Sequence, residues 1–178
     1  MKEVIILGMG ATLMKCPFDD EVWAMNQTYK VAKRIDKLFI VDPRINFIGG
    51  ENHNFDELNK LGIPIVSLHH FPEIKNFEHY PYDEIVEEFG TEFFTNTVCY
   101  MLAYAIYNGY KKIRMYGIDM ATQMEYILER GGVEFWVGVA IGRGIKFENT
   151  KGSMVCKPVM NVPYGHKYSV NMKEVDPF

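Results

Sequence analysis

Apolar residues along this chain gather in short runs, at residues 4–7, 22–25, 38–41, 63–66 and 113–116, separated by longer segments of mixed or helical pattern. Strand-length runs alternating with helical segments predict a mainly parallel sheet, because parallel neighbours need a crossover between them. The first and third runs are apolar at every position, the pattern of strands covered on both faces. The chain is therefore expected to be α/β, a Rossmann-like three-layer sandwich with a mainly parallel sheet, built as one domain over residues 1–178.

The clearest helix is predicted over 95–108, where Val98, Met101, Leu102, Ala105 and Ile106 form one apolar stripe before Gly109 stops it. Thr95 or Asn96 is its expected N-cap, and free backbone N–H groups and a positive dipole end lie there. A second helix is predicted over 134–143, and a weaker one after Pro81, where a proline in the first turn and acids just behind it both suit a helix start. From Gly49 to Pro81 the pattern is poorer, with four of the five histidines and several aromatics; a helix near 55–61, a strand and a long irregular crossing are expected. Beyond Gly144 a strand at 145–148 leads into an irregular tail from about 149, rich in Pro, Gly, Lys and Asn.

Composition narrows the classes. With 48% hydrophobic and 24% charged residues the chain is an ordinary globular protein, and its net charge of −4 argues against gripping a nucleic-acid backbone. Cys16, Cys99 and Cys156 are an odd set without CxxC spacing, which fits reduced thiols in a cytoplasm. No stretch approaches the ~18 apolar residues of a membrane span. The aromatics of the crossing, Phe47, Phe71, Phe77, Tyr80 and Tyr82, suit a homo-oligomer interface and a substrate lid equally.

Chemistry-bearing residues recur where the predicted strands end. The first runs into Gly8-Met9-Gly10-Ala11-Thr12, uncovered backbone at the carboxyl edge of a parallel sheet, where a phosphate could approach the amides. The third glycine of the dinucleotide fingerprint is absent, and two glycines also make an ordinary tight turn. The second run ends at Asn26, whose amide could read a base or ribose, or cap the next helix. The third ends at Asp42, a group for a ribose hydroxyl or a metal, or a turn-starting acid before Pro43. The fifth ends in Gly117-Ile118-Asp119. Together these ends describe one crevice along the sheet edge. The spacing of His53, His69, His70 and His79 matches no metal module, so no metal ligands are assigned. His166, beside Lys167 and Tyr168, is a candidate base or phosphate contact.

Three segments carry a resemblance: residues 4–13, residues 25–29, and residues 95–119 from Thr95-Asn96-Thr97-Val98 to Gly117-Ile118-Asp119. Their order and content resemble bacterial family 42 sialyltransferases, which bind a CMP-sugar in a Rossmann-like domain. The outline is also similar to the archaeal hydroxymethylpterin pyrophosphokinase group and to bacteriophage proteins. The sialyltransferase resemblance implies nucleotide contacts at Gly8, Gly10, Asn26, Thr95, Asn96 and Thr97, beside Met9 of the glycine turn and Asp42 and Gly117 from the crevice. The chain departs from the family's Asn-Gly-Pro-Ser at Met9-Gly10-Ala11-Thr12, and residues 121–144, where the family carries its catalytic histidine, contain none. Either His166 substitutes or that chemistry is absent; Glu125 and Tyr126 occupy the stretch. The expected function is a nucleotide or nucleotide-sugar transferase moving a glycosyl group, with His166 or Asp119 as base. The alternatives are an ATP-dependent pyrophosphokinase, with Mg2+ on Asp42 and Asp119, and a nucleotide-binding protein without turnover.

Overall fold

A computed structural model describes residues 2–43, 54–121 and 124–158, with only the backbone at 124–126. Seven parallel strands form one sheet: β1 (Glu3–Leu7), β2 (Glu21–Met25), β3 (Lys37–Phe39), β4 (Ile65–Ser67), β5 (Phe77–His79), β6 (Lys112–Tyr116) and β7 (Lys146–Asn149), in the order β5-β4-β3-β2-β1-β6-β7. The helices are α1 (Phe55–Lys60), α2 (Tyr82–Phe89), α3 (Thr97–Tyr107) and α4 (Met124–Gly142), with short 3-10 helices at Ala11–Lys15 and Asn26–Lys30. The chain builds outward from β1 to β5, then returns through α2 and α3 to place β6 on the other side of β1. Strand order therefore reverses between β1 and β6, and at such a switch point the loops leave in opposite directions and open a crevice. The Rossmann-like α/β sandwich is the observed fold.

The two faces of the sheet are covered unequally. Val4, Ile6, Trp23, Phe39, Ile113 and Met115 share a large core with α2, α3 and α4. The alternate residues Ile5, Leu7 and Val22 form a small cluster with Leu13 and Cys16, edged by Phe18, Ala32, Ile35 and Tyr116, and Ala24, Leu38 and Ile65 cluster with Leu58 of α1, Phe71 and Ile74. Complete apolarity of β1 thus answers two covered faces, one of them thinly covered. On β6 and β7 the thin face turns charged: Arg114, in register with Ile5, pairs with Asp19 at 2.6 Å and with Asp20, while Lys112 faces Glu3 at 3.5 Å and Glu148 at 3.4 Å.

Two elements differ from expectation. The edge strand β5 falls inside the predicted irregular crossing, because three half-exposed residues, one charged, carry no strand signature. The helix predicted at 134–143 is the second half of α4, which starts at Met124; the pair Gly131-Gly132 hides its first half, since glycine is a poor helix former. Gly132 has a packing reason to be there: a Cβ on it would lie 2.2 Å from Thr95 Oγ1. The residues just past 149 are irregular but anchored, for Ser153 is buried and donates from its hydroxyl to the carbonyl of Ile118 at 2.7 Å.

A polar cluster at the opposite edge of the sheet sets the position of α3. Lys37 Nζ lies 2.8 Å from Glu78 and donates to Tyr104 Oη at 3.3 Å, Tyr104 donates to Glu78, and Tyr110 donates to Glu21 at 2.6 Å. Burial pushes the Glu78 carboxyl up, but hydrogen bonds from Lys37 and Tyr104 and the lysine charge outweigh it and leave it below its usual value of 4.5. A carboxyl depressed in the folded state stabilises it above the unfolded value, and that contribution fades as pH falls below about 4.5. Urea denaturation at pH 7 and pH 3.5 should therefore show a larger acid destabilisation for the wild type than for Glu78→Gln, and equal losses would contradict the pairing.

Candidate functional site

A cleft of about 1020 Å³ opens at the carboxyl ends of the strands, over the switch point between β1 and β6. Gly8, Met9, Gly10, Asn26, Asp42, Thr95, Asn96, Thr97, Gly117 and Asp119 all line it. Five segments scattered over the chain thus converge on one wall, and the tertiary fold alone makes them neighbours.

At the floor of the cleft the loops after β1 and β6 are locked together. Gly8 N donates to Tyr116 O at 2.9 Å and Gly10 N to Gly117 O at 2.7 Å. A Cβ on Gly117 would lie 2.2 Å from Gly8 O, and its φ of 68° is left-handed, so a side chain is barred both sterically and torsionally. Thr12 completes the knot: its hydroxyl accepts from Gly117 N at 2.8 Å and donates to Asp119 Oδ1, while its N–H donates to Asp119 Oδ2 at 3.1 Å. The glycine turn therefore spends the amides of Gly8, Gly10 and Thr12 on the protein itself. Those of Met9 and Ala11 have no acceptor among the described residues. No α-helix follows the turn either, only the 3-10 helix Ala11–Lys15, so the turn lacks the aligned dipoles of a dinucleotide-binding helix.

The helix N-terminus of the cleft is the start of α3. Asn96 is its N-cap, with Oδ1 accepting from Cys99 N at 3.2 Å, and Thr97 and Val98, whose amides are first-turn groups without intrahelical partners, line the cleft. The side chains of Thr95 and Asn96 are themselves occupied: Thr95 Oγ1 donates to the carbonyl of Glu129 at 2.8 Å, and Asn96 Nδ2 to Glu129 Oε2 at 3.1 Å. What this segment presents to an anion is its backbone.

Asn26 settles into neither alternative in simple form. It opens the 3-10 helix in the left-handed region with φ 47°, and its Oδ1 caps nothing: it is buried with no partner among the described residues. Thr28, fully enclosed and also lining the cleft, has an equally unpartnered Oγ1. Buried polar atoms without partners are rare, and two in one cleft wall mark a place completed by a ligand or water. Asp42 stands beside them, three residues past β3.

Thr28, Phe94, Tyr100 and Glu129 line the cleft without having been singled out. Phe94 is stacked between Tyr100, with ring centroids 4.4 Å apart, and Trp136 at 5.1 Å, so aromatic side chains line this side of the cleft. Their signal in the sequence is weak because core aromatics look the same. His69, His70 and His79 do not line the cleft, and His53, His166 and the side chains of Glu125 and Tyr126 lie outside the described residues. Among the described residues no three or more His, Cys, Asp and Glu side chains are placed to hold a metal ion, all three thiols are free, and no helix is long and apolar enough to cross a membrane.

No family model and no curated protein matches the chain. Its fold is that of solved sialyltransferases. The Campylobacter jejuni sialyltransferase CstII in complex with cytidine-5'-monophosphate superposes with TM-score 0.58 at 20% identity, over 86% of this chain and 82% of that one. The same enzyme with CMP-3FNeuAc gives TM-score 0.57 at 20% identity, over 84% and 80%. CST-II with a trisaccharide acceptor and CMP gives 0.54 at 18% identity, over 83% and 80%. At these identities the likeness establishes the Rossmann-like fold.

Two substitutions test the site's construction by chemical denaturation. Gly117→Ala should cost about 3 kcal/mol, combining overpacking against Gly8 with a left-handed φ. Asn26→Gly should leave stability unchanged or raise it by up to about 1 kcal/mol, since it removes an unpartnered buried amide and relieves a left-handed asparagine. A clear loss in Asn26→Gly would mean that the side chain holds the fold.

Proposed function

We propose that this protein is a nucleotide-sugar glycosyltransferase that binds a cytidine-type donor in the cleft over β1 and β6. The observation that carries the reading is the convergence of a free helix N-terminus, an aromatic wall and unpartnered Asn26 and Thr28 in one cleft, on a fold shared with sialyltransferases solved with CMP and a CMP-sugar analogue. The amides of Thr97 and Val98, with those of Met9 and Ala11, receive the phosphate and stabilise the charge it gains as it departs. Phe94 and Tyr100 give the base an apolar aromatic surface to lie against, and Asn26, Thr28 and Asp42 suit the hydroxyls and edges of the nucleoside.

The pyrophosphokinase alternative fits less well. It requires magnesium on Asp42 and Asp119, yet both oxygens of Asp119 already accept hydrogen bonds from Thr12. The same commitment makes Asp119 a positioning group for the Gly117 loop rather than a free base. A binder without turnover would use the same cleft and is separated by donor hydrolysis.

A thermal-shift series with CMP, UMP, ADP and ATP, with and without Mg2+, tests the reading. CMP at ~100 times its dissociation constant should stabilise the protein by about 2.7 kcal/mol, independently of Mg2+, and Asn26→Gly should weaken that shift. Stabilisation by ATP and Mg2+ alone would favour the kinase alternative, and no shift with any nucleotide would remove the proposal.

A further inference from the structure

Glu129 is the carboxylate of the cleft whose position is fixed while one oxygen stays available. It sits on the second turn of α4, its main-chain carbonyl accepts from Thr95 Oγ1 at 2.8 Å, and its Oε2 accepts from Asn96 Nδ2 at 3.1 Å. Gly132, one turn further on, lets α4 press against Thr95, so backbone and side chain of Glu129 are both tied to the start of α3. Its Oε1 has no hydrogen-bond partner among the described residues. The other two carboxylates of the cleft are placed differently: Asp119 is held by Thr12, and Asp42 stands past β3 on the side of Asn26 and Thr28.

Asn96, which holds Glu129, also caps α3, so the carboxylate is tied to the residue directly before the first-turn amides of Thr97 and Val98. In a nucleotide-sugar, the atom attached to that phosphate is the anomeric carbon. We infer that Glu129 is the general base of the transfer, taking the role for which residues 121–144 offer no histidine; this rests on the glycosyltransferase reading above. In the step, the acceptor hydroxyl oxygen bonds to the anomeric carbon and the bond from that carbon to the phosphate oxygen breaks. The electron pair leaves with the nucleoside monophosphate, and the hydroxyl proton passes to Glu129 Oε1. A carboxylate beside a bound phosphate is a repulsive arrangement in the ground state, and protonation removes it as the phosphate gains negative charge, so the two movements of charge assist each other.

Glu129→Gln separates this role from a merely structural latch, because glutamine keeps an acceptor for Asn96 and the same main-chain carbonyl. The wild type is first titrated with CMP, then assayed for CMP release from CMP-sialic acid with water or a galactoside as acceptor. Glu129→Gln should lower kcat by about 10²- to 10⁴-fold, with donor KM and CMP Kd within about twofold of wild type and an unchanged melting temperature, and Glu129→Asp should recover part of the loss. Unchanged kcat would overturn the assignment, as would a loss that appears in KM, CMP affinity or melting temperature. A wild type that binds CMP but turns over no donor would overturn the base while leaving the nucleotide site intact. A wild type that binds no nucleotide would remove the underlying reading as well.

Discussion

The backbones of Gly8 and Gly117 cross at the switch point so closely that neither position has room for a side chain. Everything at the carboxyl edge depends on that contact. It joins the loops of two neighbouring strands, and Thr12 then ties both to Asp119. The segment after β7 adds a second restraint, with Ser153 on Ile118 and Met154 N on Asp119 O at 2.8 Å. A cleft floor built mainly from backbone hydrogen bonds is rigid without a large apolar layer beneath it, which matters because that face of the sheet is covered only by short elements.

This construction reassigns the work of the residues at the site. In a dinucleotide-binding fold the glycine turn feeds a helix whose free amides meet the phosphate. Here the turn feeds a 3-10 helix and spends the amides of Gly8, Gly10 and Thr12 on the protein, leaving those of Met9 and Ala11, so the aligned first-turn amides of an α-helix are found at α3 instead. Turn and helix are not competing phosphate sites. The first shapes the floor and the second supplies the positive end.

The approach of α4 to α3 is the third determinant. Gly132 removes the side chain that would collide with Thr95, and the resulting contact brings Glu129 to the capping residue of α3. A helix packed one side chain further away would leave the cleft without a carboxylate beside the start of α3. The aromatic series Tyr100, Phe94 and Trp136 runs along the same seam, so the wall of the cleft and the core under α4 are one structure.

The order of strands and helices, the parallel sheet and the residues at the strand ends follow from local pattern, since runs such as residues 4–7 and the stripe on α3 are read within a few positions. The cap of α3 was legible as Thr95 or Asn96, and the nine nucleotide-contact candidates, Gly8 to Gly117, were legible as residues at strand and helix ends, which is where an α/β fold leaves backbone and polar groups uncovered. What each of them does was not legible. Whether an amide is free or spent, as at Gly10, depends on a partner more than a hundred residues away, and the same holds for the carboxylate of Asp119. Thr28 and Glu129 carry no motif, and they reach the cleft only because β2 lies beside β1 and α4 folds back against α3. Local sequence determined which groups sit at the ends of elements; long-range packing decided which of those groups were left without partners.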